Sequence, residues 1–253
     1  MNNKVDSYIQ LINENLFNIY KDGPKSLTEP ISYVLNNPGK RLRPLLTMLV
    51  ADSFNIKDNK DAINAALSIE MLHNFTLIHD DIMDGDDYRH GKKTVHCKWD
   101  KSTAILAGDA LLSLALNKIN EVQKNHKAVT TAFTKGLLAV CEGQALDIEY
   151  ERNNKIDIDK YTGMIELKTG YLIGLSAELG ALVSGANPQH VHKLKKFGIL
   201  VGKAFQIQDD LLEVVSNEDK MGKSLSTDLL LRKKTYVLIE SIKVDKESVD
   251  SIL

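Results

Sequence analysis

Apolar residues recur at intervals of three and four along almost the whole chain, the period of helices with one face in a core. Short alternating β-branched runs between turn pairs, the mark of strands, are essentially missing. Prolines stand at Pro24, Pro30, Pro38, Pro44 and Pro188, so residues 45–187 hold none of the residue that breaks helices. The pattern predicts a first amphipathic helix over 4–20, closed by Asp22-Gly23-Pro24, and a short one over 27–36 ending at Asn37-Pro38-Gly39. An apolar helix then opens at GKRLRPLL. Longer ones are expected over 60–84, 96–120, 127–151 and 160–184, the last capped by Asp157 or Asp159. Another runs from Pro188 through Glu213, and a final apolar helix follows Lys233 and Lys234. GDDYRHGKKT and NEDKMGKSLSTD read as loops. The fold expected is all-α, a single domain over residues 1–253.

Composition narrows the function classes. An apolar share of 43% in 253 residues allows one substantial core. A formal charge of −2 argues against a nucleic-acid partner, whose footprint would be basic. Two cysteines, Cys97 and Cys141, give no disulfide framework and point to a reducing compartment. No signal core opens the chain, and YLIGLSAELGALVSGA, the best apolar run, is interrupted by Glu178. A cytoplasmic protein with no membrane span is the expectation.

The chemistry concentrates where HNFTLIHDDIMDGDDYRHGKKTVH begins at His73. Its helical first half ends in Asp80, Asp81, Asp84, Asp86 and Asp87. Asp80 and Asp84 stand one turn apart on one face, and repulsion between them calls for a hard divalent cation with oxygen ligands. An EF-hand does not account for them. Ile82 would fall at its third position, and Gly91 at the twelfth, where glutamate is required. Arg89, His90, Lys92 and Lys93 follow at once, so acid for a metal adjoins base for an anion, as a metal-bound diphosphate needs. One acidic cluster is compatible with a solvated helix end. A second copy is what separates the readings: FQIQDDLLE sets Asp209, Asp210 and Glu213 on one stripe, with Gln206 a turn earlier. Lys40, Arg41 and Arg43 crowd a helix start, where they oppose the macrodipole unless a polyanion joins them.

GKRLRP, LIHDDIMD, EGQALD, LKTG, FQIQDDLLE, MGKS and the spacing from Asp228 to Thr235 occur in one order. Together they resemble the trans-isoprenyl diphosphate synthases, the polyprenyl synthetase family, over roughly residues 20–240. The resemblance implies a bundle of mostly antiparallel helices around a central cavity, usually a homodimer, working on isopentenyl diphosphate and an allylic diphosphate. It implies Mg2+, three ions per site, held by Asp80 and Asp84, with Asp81 beside them, and by Asp209, Asp210 and Glu213. Arg89, Lys168, Thr169, Gln206, Lys223 and Lys233 would contact the allylic diphosphate. Lys40, Arg43 and His73, with Arg41 and His90 alongside, would hold isopentenyl diphosphate. Phe75, with Thr76 and Leu72, resembles the floor that limits product length in short-chain members, which implies a twenty-carbon product, or fifteen.

Three positions depart from the family pattern: His90 for a second arginine, Glu213 for an aspartate, and Arg232 for a glycine. Family chains also commonly continue beyond the point where Leu253 stands. Two other classes stay open on the sequence. A class I terpene cyclase shares the first motif, although GKRLRP and DDLLE fit it poorly. A non-catalytic subunit of a heteromeric synthase is the other, although both motifs keep their carboxylates.

Overall fold

The computed structural model describes residues 2–37, 39–151, 156–215 and 235–244. Helix α1 spans Asn2–Phe17, α2 Lys25–Leu35, α3 Leu42–Ser53 and α4 Lys60–Asp84. A hairpin of β1 (Tyr88–Arg89) and β2 (Lys92–Lys93) leads to α5 (Val95–Lys98), α6 (Lys101–Asn120) and α7 (His126–Glu151). Then come α8 (Ile158–Ile165), a π-helical turn (Glu166–Gly170), α9 (Tyr171–Ser184), α10 (Pro188–Val215) and α11 (Tyr236–Val244). The expected all-α architecture is what forms.

Helix α4 is the centre of the packing, with α3, α6 and α9 against it. Ala62, Ala65, Ala66, Leu67, Ile69, Met71 and Leu72 are buried at successive angles around it, so its apolar surface is not confined to a stripe. Ser68 and Asn74 are buried too, and each closes on a carbonyl one turn back, at Asn64 (2.8 Å) and Glu70 (2.7 Å). The helix ends at Gly85, whose φ of +71° suits glycine, and the Gly85 and Asp86 N–H groups both return to the Asp81 carbonyl.

Three expected elements are subdivided. GDDYRHGKKT contains a short antiparallel ladder, Tyr88 opposite Lys93 and Arg89 opposite Lys92, turned by His90 (φ +50°) and Gly91 (φ +73°). Positive φ at both central residues is what a two-residue hairpin requires. The helix expected over 96–120 breaks at Trp99, and Asp100 starts α6 afresh by accepting from the Thr103 N–H at 2.8 Å. The helix expected over 160–184 is α8, the π turn and α9, and of the two candidate caps Asp157 is the one that accepts, from Lys160 N–H.

Among the described residues α6 is long and apolar enough, by length and composition, to cross a membrane. One face of it is core, however: Ala104, Ala107, Leu111, Ala115 and Ile119 are buried in the cluster that contains α4. Ile105, Leu106 and Leu116 on its other side are exposed.

Candidate active site

The first acidic motif occupies the last turn of α4, where the exposed carbonyl ends of the helix already contribute negative potential. The three carboxylates there are not equivalent. Asp81 is buried and paired with Arg89, Nε to Oδ1 2.5 Å, and Arg89 also reaches Asp86 at 3.6 Å. Asp80 is largely buried, and no described side chain donates a hydrogen bond to it. Burial pushes its carboxyl from 3.8 up to about 6, Lys168 pulls it down, and Asp84 adds to the rise. A buried carboxylate beside a second one, with no donor of its own, is a hard oxygen pair suited to Mg2+.

Lys168 belongs to the π turn, an insertion often found at functional sites. Its Nζ pairs with Asp147 of α7 at 2.5 Å and lies near enough to Asp80 and Asp84 to feel both charges. Burial alone would lower the Lys168 pKa, but these three carboxylates raise it. The next residue faces the second motif. Thr169 Oγ1 donates to Gln206 Oε1 (2.8 Å), and Gln206 Nε2 donates to Asp210 Oδ1 (2.9 Å). Tyr161 Oη donates to the other Asp210 oxygen, and burial together with the Asp210 charge raises the Tyr161 pKa. These bonds fix the orientation of the Asp210 carboxylate. Asp209 beside it is half-buried and takes no side-chain hydrogen bond from a described residue.

Glycines make this proximity possible. On α10, Gly198, Gly202, Gln206 and Asp210 fall at every fourth position, hence on one stripe. A Cβ on Gly202 would sit 2.5 Å from Gly170 Cα, and one on Gly198 would sit 2.7 Å from Gly174 Cα. The two backbones therefore meet directly, and one turn on the same stripe delivers Gln206 to Thr169. On α7, a Cβ at Gly143 would fall 2.3 Å from the Lys168 backbone nitrogen. Gly143→Ala should therefore displace the π turn, lowering stability by about 2 kcal/mol, typical of overpacking. It should lower turnover as well; a denaturant midpoint and an initial rate like those of the wild type would contradict this.

The basic segment divides. Arg43 Nη1 donates to His73 Nε2 (3.0 Å), while its buried Nε–H has no partner among the described residues. Burial first, then Arg43, Arg89 and His90, pushes the His73 pKa well down, so the imidazole is neutral and accepts. Arg43, Arg89, His90 and Arg41 all act electrostatically on this one histidine, and Lys40 is exposed nearby in sequence. Arg41 is the correction. It is buried, with left-handed φ of +48°, and pairs with Glu70 at 2.6 Å. It also donates to Asn13 Oδ1 (2.9 Å) and to the Leu35 and Asn37 carbonyls. Four of its five N–H groups go to holding α1, α2 and α4 together, a framework role where the sequence suggested a substrate contact.

Of the expected floor, Leu72 is fully buried and Phe75 is half-buried, its ring edge-on to His79 with centroids 4.7 Å apart. Thr76 closes its hydroxyl on the His73 carbonyl (2.8 Å). His79 in turn leaves no room for a side chain at Gly108 of α6. Lys223, Arg232 and Lys233 lie outside the described residues, as does the Glu213 side chain. Sequence reasoning passed over Tyr161, and over Asp147 as the Lys168 partner, while Gln144 of the expected polar side of α7 is buried with neither amide atom hydrogen-bonded among the described residues. EGQALD held the signal for two of these, because Gln144 and Asp147 share a helix face.

The scaffold is all-α, and a lysine, a threonine and a glutamine lie between its two acidic helix turns. The chain belongs to the polyprenyl synthetase family, whose model matches residues 24–253, and is a prenyltransferase of that family. A short chain isoprenyl diphosphate synthase from Methanocaldococcus jannaschii is 39% identical over 237 residues, covering 93% of this chain and 72% of the relative. A crystal structure of geranylgeranyl pyrophosphate synthase superposes with a TM-score of 0.92 at 37% identity, covering 98% of this chain and 76% of that one. A polyprenyl synthase from Caulobacter crescentus, complexed with calcium and isoprenyl diphosphate, gives 0.89 at 25% identity, with 95% and 73% covered.

Proposed function

We propose that the chain joins isopentenyl diphosphate head-to-tail to an allylic diphosphate and makes a twenty-carbon product, with fifteen carbons as the nearest alternative. The observation that carries this reading is the run of neighbours that begins at Lys168, within electrostatic reach of Asp80 and Asp84, and continues from Thr169 through hydrogen bonds to Gln206 and Asp210. Asp80, Asp84, Asp209, Asp210 and Glu213 would hold magnesium, and bound magnesium supplies Lewis-acid stabilisation to a departing diphosphate. Lys168 and Thr169 would position the allylic diphosphate, and the Arg89 guanidinium, anchored by Asp81, would add a third contact. Arg43, with its unpartnered Nε–H, His73 and His90 would orient isopentenyl diphosphate, with Lys40 at the rim. Fixed cations aimed at a charge that grows as the C–O bond breaks stabilise that step more than the ground state. The double bond of isopentenyl diphosphate then attacks the allylic carbon, and the resulting cation would lose a proton to the released diphosphate to complete the new double bond. The apolar residues of α4 beneath Asp80 would exclude water from the cation.

Chain length would be limited by Phe75, about 7.5 Å below Asp80 along the helix at roughly 1.5 Å per residue. Phe75→Ala should lengthen the product by at least one five-carbon unit, and a further Leu72→Ala by more. Incubation with magnesium, isopentenyl diphosphate and each of dimethylallyl, geranyl and farnesyl diphosphate, followed by chromatographic sizing, tests both statements. An unchanged product from a stable, active Phe75→Ala enzyme would move the floor elsewhere. A homodimer joined over the exposed Ile105, Leu106 and Leu116 face of α6 completes the reading, and sedimentation would test it.

A further inference from the structure

The hairpin that carries Arg89 is closed at its base by a group of side chains the reaction does not use. Asp87, just before β1, and His96 and Cys97 of α5 each offer one ligand atom, and these atoms lie within 4.8 Å of one another. Cys97 Sγ is already 3.0 Å from Asp87 Oδ1. The backbone beneath them is fixed: Thr94 N–H donates to the Asp87 carbonyl at 2.9 Å, and Thr94 Oγ1 donates to the Asp86 carbonyl at 2.8 Å. The same hydroxyl lies 3.3 Å from His96 Nδ1, a contact of the kind that orients the ring of a metal-ligating histidine.

We propose that Asp87, His96 and Cys97 form a second cation site, distinct from the magnesium carboxylates and selective for a thiophilic divalent ion of the Zn2+ class. A four-coordinate zinc with one thiolate, one imidazole and one carboxylate needs its ligand atoms roughly 3.3–3.8 Å apart. Small side-chain rotations reach that from the present arrangement, and a water molecule takes the fourth position. Thiolate and imidazole select against magnesium, which keeps to oxygen, so the two sites sort their metals by donor chemistry. Thiolate and carboxylate together balance the charge of the ion. Its place gives it a job: it pins the base of the hairpin whose first strand holds Arg89 against Asp81.

Cobalt(II) is the probe, because a cobalt–thiolate bond absorbs by charge transfer in the near ultraviolet whereas a cobalt–carboxylate site does not. The metal-free full chain is saturated with magnesium to fill the carboxylate site and then titrated with Co2+. The expected result is a charge-transfer band reaching its plateau at one equivalent, displaced by Zn2+. Cys97→Ser and His96→Ala should each weaken the interaction by at least about tenfold, while Cys141→Ser leaves it unchanged. Circular dichroism on each variant separates loss of a ligand from loss of fold. Hydrogen exchange at residues 88–93 should slow on Zn2+ addition in the wild type and not in Cys97→Ser. No band in the magnesium-saturated wild type, or a band that survives Cys97→Ser and vanishes with Cys141→Ser, would overturn the site.

Discussion

Asp80→Asn is expected to cost turnover on the order of 10^3-fold or more while making the metal-free protein more stable. Both effects come from one feature, a largely buried carboxylate that no described side chain hydrogen-bonds. Its folded pKa, about 6, stands above the ordinary 3.8. Between those values the unfolded chain releases its proton first, so stability falls as pH rises through the window and stays lower above it. The full difference amounts to about 3 kcal/mol. Denaturant unfolding without divalent cations should find Asp80→Asn the more stable protein at pH 8. The gap should close as the pH falls below about 4. Added Mg2+ should stabilise the wild type and leave the variant nearly unmoved. A variant less stable than wild type at pH 8, or one that keeps near wild-type turnover at saturating magnesium, would show that Asp80 is not held in tension for a cation.

Glu70→Ala should produce the largest loss of stability, about 3–5 kcal/mol, because it leaves the Arg41 guanidinium buried without its counter-charge. Replacing both residues, Arg41→Met with Glu70→Leu, should recover only part of this. The Leu35 and Asn37 carbonyls and Asn13 would still lose their donor. Kinetics distinguish the framework from the site. Arg43→Ala should raise the KM for isopentenyl diphosphate strongly, whereas a folded Arg41 variant should change it little. Equal increases in both would return Arg41 to the substrate.

Arg41 shows where sequence alone reaches its limit. Three cations at a helix start read alike in one dimension, and only the fold reveals that one of them turns inward through a left-handed backbone to meet Glu70, 29 positions away. Helix α4, by contrast, was readable to its last residue, because apolar period, acidic end and Gly85 agree. The hairpin was hidden by its composition: His90 holds a conformation that asparagine or glycine usually advertises. The break at Trp99 carries no glycine or proline to announce it, and the π turn has no sequence rule at all. The two aspartate clusters stand out in the sequence because their spacing is local. The partners that orient Asp210 do not, since Tyr161 and Asp210 meet across 49 positions and periodicity does not encode such a contact.

The central claim is that two acidic helix turns act together to ionise an allylic diphosphate for capture by isopentenyl diphosphate. It is tested most directly by following diphosphate release from geranyl or farnesyl diphosphate, with and without isopentenyl diphosphate and magnesium. Release should require both, with one diphosphate freed for each carbon–carbon bond made. Comparable release from the allylic substrate alone, with a cyclic hydrocarbon or a prenyl alcohol as product, would contradict the account.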